Sequence, residues 1–394
     1  MSIIPFVKTT SYGNNFVIVD ETEQPALTEF DKPDFAYQAT NPNFGVGSDN
    51  FLVIQPCTKK VLKTINQERD YWRKLPNSSA ADFIFRMFEP DGKEALCCGN
   101  GLMCIAELLF RRYGIESTRI MTEIPSMSPK IKIIGTDAES KASWANMGYP
   151  RRIPCSLLGK DAIEPYDDAI EFLHNLPVRF RAHDLSPFSH KLSLEISGYL
   201  VFTGEPHMVV FTDSGFSIEE LRNLMFIRSR TGGAPDSPEK RVAFGSWLIH
   251  HIGTSVNRLY GHLFPFGINI NFVHSDENSE ALEYRCFERG IFRETLACGT
   301  GAVAVSFVSR RLNRIGQDRI RVLPHRCRWE QPDAEILVFK DKSGWFLYGR
   351  PLHLFEGQFL MRRPFLSASS NRSGSEKIAS ASNRSGRLVA LSQP

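Results

Sequence analysis

The chain has 394 residues, 47 basic and 44 acidic side chains, and a formal net charge of +3. Its 42% hydrophobic and 23% charged content excludes wholesale disorder and is enough for two or three domains. No apolar run approaches the roughly 18 residues of a membrane helix, and the first residues lack the regions of a secretory leader, so a cytoplasmic protein without a membrane partner is expected.

In chain order, β-branched and aromatic runs predict strands at 15–20, 51–54, 83–88, 199–202, 208–212, 268–274, 282–287 and 335–339. Helices are predicted after glycine-rich punctuation, at about 100–113 and 300–313. Many strands among few helices predict an α+β fold rather than an alternating parallel one. From Ser367 the chain becomes Ser-, Asn- and Gly-rich, and 367–394 is expected to be a disordered tail. From Met361 onward six basic side chains face the single Glu376, so the positive charge belongs to this end and the body is slightly acidic. No nucleic-acid partner is expected.

Comparing the chain with itself exposes a repeat. Phe85-Arg-Met-Phe-Glu89, Glu94 and Cys98-Gly-Asn-Gly101 precede a helix carrying Arg111. Tyr284-Arg-Cys-Phe-Glu288, Glu294 and Cys298-Gly-Thr-Gly301 precede a helix carrying Arg311. The offset is 199 residues at Arg86/Arg285 and 200 from Glu94/Glu294 onward, as one inserted loop residue requires. A weaker pair, beginning at Gly13 and Gly204, comes before them. Two related halves about a pseudo-two-fold axis, facing each other across a cleft, are predicted.

Each repeated Cys lies just before Gly-x-Gly and a helix start. Unpaired N–H groups and the positive end of the helix dipole there lower a thiol pKa and can hold a carboxylate. Two such ends would clamp one carboxylate and set a sulfur on each side of its α-carbon. One sulfur, as thiolate, would take the α-proton; the other, as thiol, would protonate the opposite face. The N–H groups would stabilise the enediolate formed between. Cys98 and Cys298 are the candidate catalytic pair.

Cys57, Cys97, Cys104, Cys155, Cys286 and Cys327 read as small buried apolar side chains. Without Cys-x-x-Cys or His-x-x-x-His spacing no metal is expected. The Gly-x-Gly-x-x-Ala match at 299–304 lacks a convincing preceding strand, and no lysine has a distinctive pyridoxal setting, so no cofactor is expected.

At these residues the chain resembles the diaminopimelate epimerase family of pyridoxal-independent racemases and epimerases. The resemblance runs through Tyr12-Gly-Asn-Asn, Gly45-Val-Gly-Ser-Asp49, Arg86-Met-Phe-Glu-Pro-Asp-Gly92, Cys98-Gly-Asn-Gly101, Gly204-Glu-Pro-His207, Gly267-Ile-Asn269, Glu288-Arg-Gly290 and Glu294-Thr-Leu-Ala-Cys298-Gly-Thr-Gly301, covering about 6–360. It implies two similar domains, each a sheet around a central helix, with the active site in the cleft between them. The expected boundaries are 1–142 plus about 352–366, then 143–351, then the tail. It also implies that Cys98 and Cys298 are the acid/base pair and that Gly99, Asn100, Gly299 and Thr300 surround the reacting carboxylate. Asn14, Asn269, Glu288 and Arg289 match substrate-binding positions, Asn50, Glu89 and Glu205 stand at such positions with a changed residue, and His207 matches a positioning one.

The departures from that family carry information. Two amides that receive the distal carboxylate of diaminopimelate are replaced by Glu89 and Glu205, and like charges repel. The expected substrate is therefore an amino acid with a neutral or basic side chain, such as histidine, lysine, ornithine or arginine. The alternatives are diaminopimelate epimerisation and a catalytically silent amino-acid-binding protein. A homodimer is left open. Extra residues relative to the family fall near 57–81, 164–191 and 227–260. The first reads as a basic, exposed helix decorating the enzyme.

Overall fold

The computed structural model describes residues 2–159, 164–179, 193–216, 225–226, 238–276 and 281–362. The expected tail at 367–394 and parts of the extra segments at 164–191 and 227–260 lie outside the described residues.

The chain opens with an antiparallel hairpin of β1 (Ser2–Ser11) and β2 (Asn14–Asp20), turned at Tyr12 and Gly13, both at positive φ. After α1 (Asp31–Thr40), β3 (Asn50–Pro56) lies parallel to β2. Then come α2 (Lys59–Arg69), β4 (Phe83–Phe88) antiparallel to β3, and the short β5 (Glu94–Ala95) folded back on β4. α3 (Gly99–Tyr113) leads to β6 (Ser117–Thr122) parallel to β4, then β7 (Lys130–Thr136) and β8 (Ser143–Gly148) follow antiparallel.

The second half retraces this path. After β9 (Glu164–Pro165) and β10 (Glu171–Arg179), β11 (Ser193–Phe202) pairs antiparallel with β12 (Pro206–Phe211). Beyond α4 (Pro238–Leu259), β13 (Asn269–Asp276) is parallel to β12, and β14 (Ala281–Glu288) turns back with β15 (Arg293–Thr295). α5 (Gly299–Arg311) leads to β16 (Arg319–Pro324) parallel to β14, then to β17 (Ile336–Asp341) and β18 (Gly344–Gly349). β19 (Leu352–Met361) returns to β1.

Register repeats along with order. Asn50 stands opposite Phe16 as Asn269 stands opposite His207, and Phe88 opposite Phe51 as Phe287 opposite Ile270. The halves join where β8 and β18 pair antiparallel. The result is an α+β fold of two related domains, each a sheet wrapped around one helix.

Those helices are α3 and α5. Residues Gly99–Leu109 and Gly299–Ser309 are buried throughout, which explains small and apolar residues on every side of both helices. Both belong to one continuous core crossing the seam. α3 stops at Gly114, whose positive φ lets its N–H reach back to the last carbonyls.

The repeated Arg/Glu positions support the cysteine loops. Arg86 Nε and Nη2 clamp Glu94 at 2.7 and 2.6 Å, and Arg285 clamps Glu294 at 2.6 and 2.7 Å. Both arginines are buried, and each fork fixes the short β-turn four residues before a catalytic-candidate Cys.

The basic segment near 57–81 is anchored rather than merely laid on the surface. Thr58 caps α2 through Val61 N–H, and Leu62, Ile65 and Trp72 are buried with Ile84 of β4 and Met121 of β6. Lys59, Lys60 and Lys63 remain exposed. Among the described residues no helix is long and apolar enough to cross a membrane.

Candidate functional site

Cys98 and Cys298 are the residues immediately preceding α3 and α5, each in extended backbone that turns into the helix. Both line one cleft of about 1170 Å³, with Asn14, Glu89, Glu205 and Glu288 also on its walls. Gly101 N–H supports the Cys98 sulfur, and Gly301 N–H lies 3.4 Å from that of Cys298. The next free donors, the N–H groups of Gly99, Asn100, Gly299 and Thr300, belong to first helical turns with no earlier carbonyl to bond.

The two sulfurs differ in their surroundings. Cys98 lies 3.5 Å from Asn14 Oδ1. Burial drives its thiol well above the ordinary value, Gly101 N–H opposes this, and the charges of Cys97, Glu288 and Cys298 add to it. A lowered pKa was expected at this helix end; desolvation outweighs the dipole. Cys298 has more partners. Thr300 Oγ1 is 3.3 Å from its sulfur, and Glu288 accepts a hydrogen bond from it.

A chain of polar groups runs behind Thr300. Asn271 Nδ2 donates to His207 Nδ1 at 3.0 Å, so Nε2–H of His207 donates to Thr300 Oγ1, also at 3.0 Å. That leaves the Thr300 hydroxyl proton for the sulfur. Burial, helped by the positive charge of Arg289, holds His207 down to about 3, so the ring is neutral. Tyr284 fixes the Cys298 backbone from both sides, accepting from its N–H at 2.8 Å and donating to its carbonyl at 2.9 Å.

The cleft is also acidic, through Glu89, Glu205 and Glu288. Glu89 accepts from Asn50 Nδ2 at 2.8 Å. Its carboxyl is raised by burial, which the Asn50 bond opposes and Glu205, Asp91 and Asp49 reinforce. Glu205 accepts from Asn269 Nδ2 at 2.6 Å and lies 3.7 Å from Arg289 Nη2. Glu288 is pushed up to about 7 by burial, against a Thr295 hydroxyl bond and with the charges of Glu205 and Asp49.

Twelve of the fourteen residues expected from sequence line the cleft; Asn269 and His207 are fully buried behind its wall. Asn269 also accepts from Arg289 N–H at 2.8 Å and so holds the arginine and Glu205 together.

Sequence reading missed Asp49, whose Oδ2 gathers Asn14 Nδ2 and both nitrogens of Asn15. It also missed Tyr284, Asn271 and Thr295. For Asp49 the signal was its place in a quoted motif; for Tyr284 it was a hydroxyl where the repeat has Phe85. Among the six cysteines read as buried and apolar, Cys155 is exposed and Cys97 lies on the cleft wall. Cys286 lies beside Cys298.

Comparison with known proteins accords with this architecture. The diaminopimelate epimerase family profile matches residues 6–153. A diaminopimelate epimerase of Archaeoglobus fulgidus is 28% identical over 317 residues, 79% of this chain and 84% of its own. One of Methanothrix thermoacetophila is 29% identical over 80% of this chain and 85% of its own. A hydroxyproline epimerase structure from Agrobacterium vitis superposes with a TM-score of 0.50 at 12% identity, covering 92% of this chain and 94% of that one, a likeness of fold.

Two related halves, a shared cleft and these relatives define an isomerase of the racemase/epimerase type. Within that class the chain is similar to the diaminopimelate epimerases, through the family profile over residues 6–153 and relatives at 28% and 29% identity.

Proposed function

We propose that the protein inverts the α-carbon of a free amino acid with a neutral or basic side chain, using Cys98 and Cys298 as the two bases. The observation that carries this is the placement of both sulfurs at the starts of two buried helices on one cleft.

The substrate carboxylate receives the N–H groups of Gly99, Asn100, Gly299 and Thr300, which hold the enediolate charge as it forms. Cys298 acts first as thiolate: Glu288 takes its proton, while Thr300 O–H and Gly301 N–H support the sulfur's charge. Burial keeps Cys98 as the thiol that protonates the opposite face. After one turnover the roles are exchanged, so the reverse reaction uses the same pair. Each proton transfer of this kind is worth about 10²–10⁴ in rate.

Asn14 positions Cys98, and His207 positions Thr300. Asn50 and Asn269 hold Glu89 and Glu205 at the distal end, and Arg289 partly offsets the charge there. Two carboxylates against one arginine favour an ammonium, guanidinium or imidazole over a second carboxylate. The chain division at 142/143, with the return of about 352–366, is part of the proposal. β19 pairing with β1 supports the return, and the β8–β18 pairing marks the seam.

Diaminopimelate epimerisation is the second reading, favoured by the Arg289–Glu205 ion pair, which lessens the repulsion. The test is a panel of L-amino acids and diaminopimelate in D2O, read by NMR for α-proton exchange and by chiral chromatography. Exchange with inversion of a basic amino acid is expected. Faster turnover of diaminopimelate would establish the second reading, and no exchange on any substrate would leave a binding protein.

A further inference from the structure

The spacing of cysteines and histidines along the chain pointed to no metal site, but the fold brings three donor side chains together from a strand and a helix start. Tyr284, Cys286 and Glu288 are alternate residues of β14 and project from one face of the sheet. Tyr284 holds the backbone of Cys298 against that face through two hydrogen bonds. In consequence the sulfurs of Cys286 and Cys298 and a carboxylate oxygen of Glu288 all lie within 4.8 Å of one another.

The other half of the molecule has no counterpart. Its matching strand residues are Phe85, Met87 and Glu89, so an apolar thioether stands where Cys286 does. The third thiol is thus a feature of one half only, and the proton-transfer scheme makes no use of it.

We propose that Cys286, Glu288 and Cys298 form a binding site for a borderline-soft divalent cation, zinc being the representative, whose occupation blocks the enzyme. Two thiolates and one carboxylate are a zinc-type donor set. Zinc–ligand bonds of about 2.0–2.3 Å place tetrahedral donors roughly 3.3–3.8 Å apart, a side-chain adjustment from the arrangement seen. Glu288 and Cys298 line the cleft, so the fourth position opens toward it and takes water or the substrate amine.

Outer contacts already orient the donors: Thr295 O–H bonds Glu288, and Thr300 O–H and Gly301 N–H reach the Cys298 sulfur. The charges of Glu205 and Asp49, felt at Glu288, add attraction for a dication. Binding displaces the thiol protons of Cys286 and Cys298 and engages the lone pair that would accept the substrate α-proton. The binding claim stands on these donors alone; the blocking claim rests on the proposed function.

Cobalt(II) titration of the reduced full-length protein tests the site without reference to activity. One equivalent should give a thiolate-to-cobalt charge-transfer band and tetrahedral visible bands, both displaced by zinc. Cys286→Val should lose the bands and weaken zinc roughly 100-fold, at the upper end of what even an outer-sphere change costs. Cys286→Ser, nearly isosteric with the thiol, should also lose the charge-transfer intensity of one sulfur while remaining folded by circular dichroism. Cys98→Ala should keep the bands.

In α-proton exchange, zinc should inhibit the wild type and not Cys286→Val, each compared with its own metal-free rate. Absence of the bands in the wild type, or their full retention in Cys286→Val, would overturn the site. Their loss in Cys98→Ala would place the metal between the two catalytic sulfurs instead. Bands without any exchange activity would leave the site standing and remove the proposed function.

Discussion

Gly99 and Leu347 meet at the seam between the halves: a Cβ on Gly99 would stand 2.5 Å from Leu347 Cδ1. A Cβ on Gly299 would meet the same methyl at 3.0 Å. One fully buried leucine from β18 therefore sets the approach of both helix starts. Gly99→Ala should cost about 1–3 kcal/mol in urea unfolding, because the methyl must be displaced within a packed core. Leu347→Val in the same background should recover part of that loss, with a coupling energy on the order of 1 kcal/mol. Additive losses would mean that the contact does not constrain α3.

The two thiols have separable roles. Cys98→Ala and Cys298→Ala should each lower racemisation by about 10²–10⁴. Each variant keeps one base, so each should retain α-proton exchange from one enantiomer only, and the two variants should retain opposite enantiomers. Proton NMR in D2O reads both at once. Exchange of both enantiomers by either variant would rule out a base on each face.

The repeat was legible because it is written in residue types with no substitute: Cys before Gly-x-Gly, and the Arg86/Glu94 and Arg285/Glu294 forks that brace the loops. From it came the paired halves and the cleft. Among the strands not predicted, which include β1, β6, β10, β16 and β19, are β7, β8 and β18. In Lys130–Thr136, Ser143–Gly148 and Gly344–Gly349 the lysines, serines and glycines break the β-branched pattern; β8 and β18 pair with each other across the seam, and β7 pairs with β6 and β8. The neighbourhood of Cys286 was hidden for another reason. A lone Cys in an apolar strand looks like any core residue until Tyr284 brings the Cys298 backbone onto its face.

Specificity should follow the distal carboxylates. Restoring amides with Glu89→Gln and Glu205→Asn removes two negative charges where a second carboxylate would lie. The double variant should shift the kcat/KM ratio of diaminopimelate to a basic amino acid by at least tenfold, about 1.4 kcal/mol, toward diaminopimelate. Steady-state kinetics on both substrates checks this. An unchanged ratio would show that Arg289 already neutralises the pocket.

The anchoring of α2 predicts a division between its two faces. Trp72→Ala removes a buried indole that also donates to Ser126 O at 3.0 Å, and should cost about 3–5 kcal/mol. Lys60→Ala and Lys63→Ala lie on the exposed face and should stay within about 0.5 kcal/mol of the parent. Urea midpoints distinguish the cases; a Trp72→Ala loss as small as that of the lysine variants would mean that α2 is not part of the cooperative fold.

His207 sets an acid limit on stability. Its folded pKa is about 3, against about 6.5 for an unperturbed imidazole. Between those values the unfolded chain binds a proton that the native site refuses. The sign is therefore fixed: stability from this group is complete above about pH 6.5 and falls as pH drops through the window toward about 3. At 1.36 kcal/mol per pH unit, going from pH 7 to pH 5 should cost about 2 kcal/mol through this residue alone. His207→Gln cannot take up that proton. It should start less stable at pH 7, because the bond to Thr300 is altered, but its disadvantage relative to the wild type should shrink by about 2 kcal/mol at pH 5. Urea unfolding of both proteins at the two pH values measures the difference. A constant gap would mean that the imidazole is charged in the folded protein, and the relay from Asn271 to Cys298 would then need both ring nitrogens as donors.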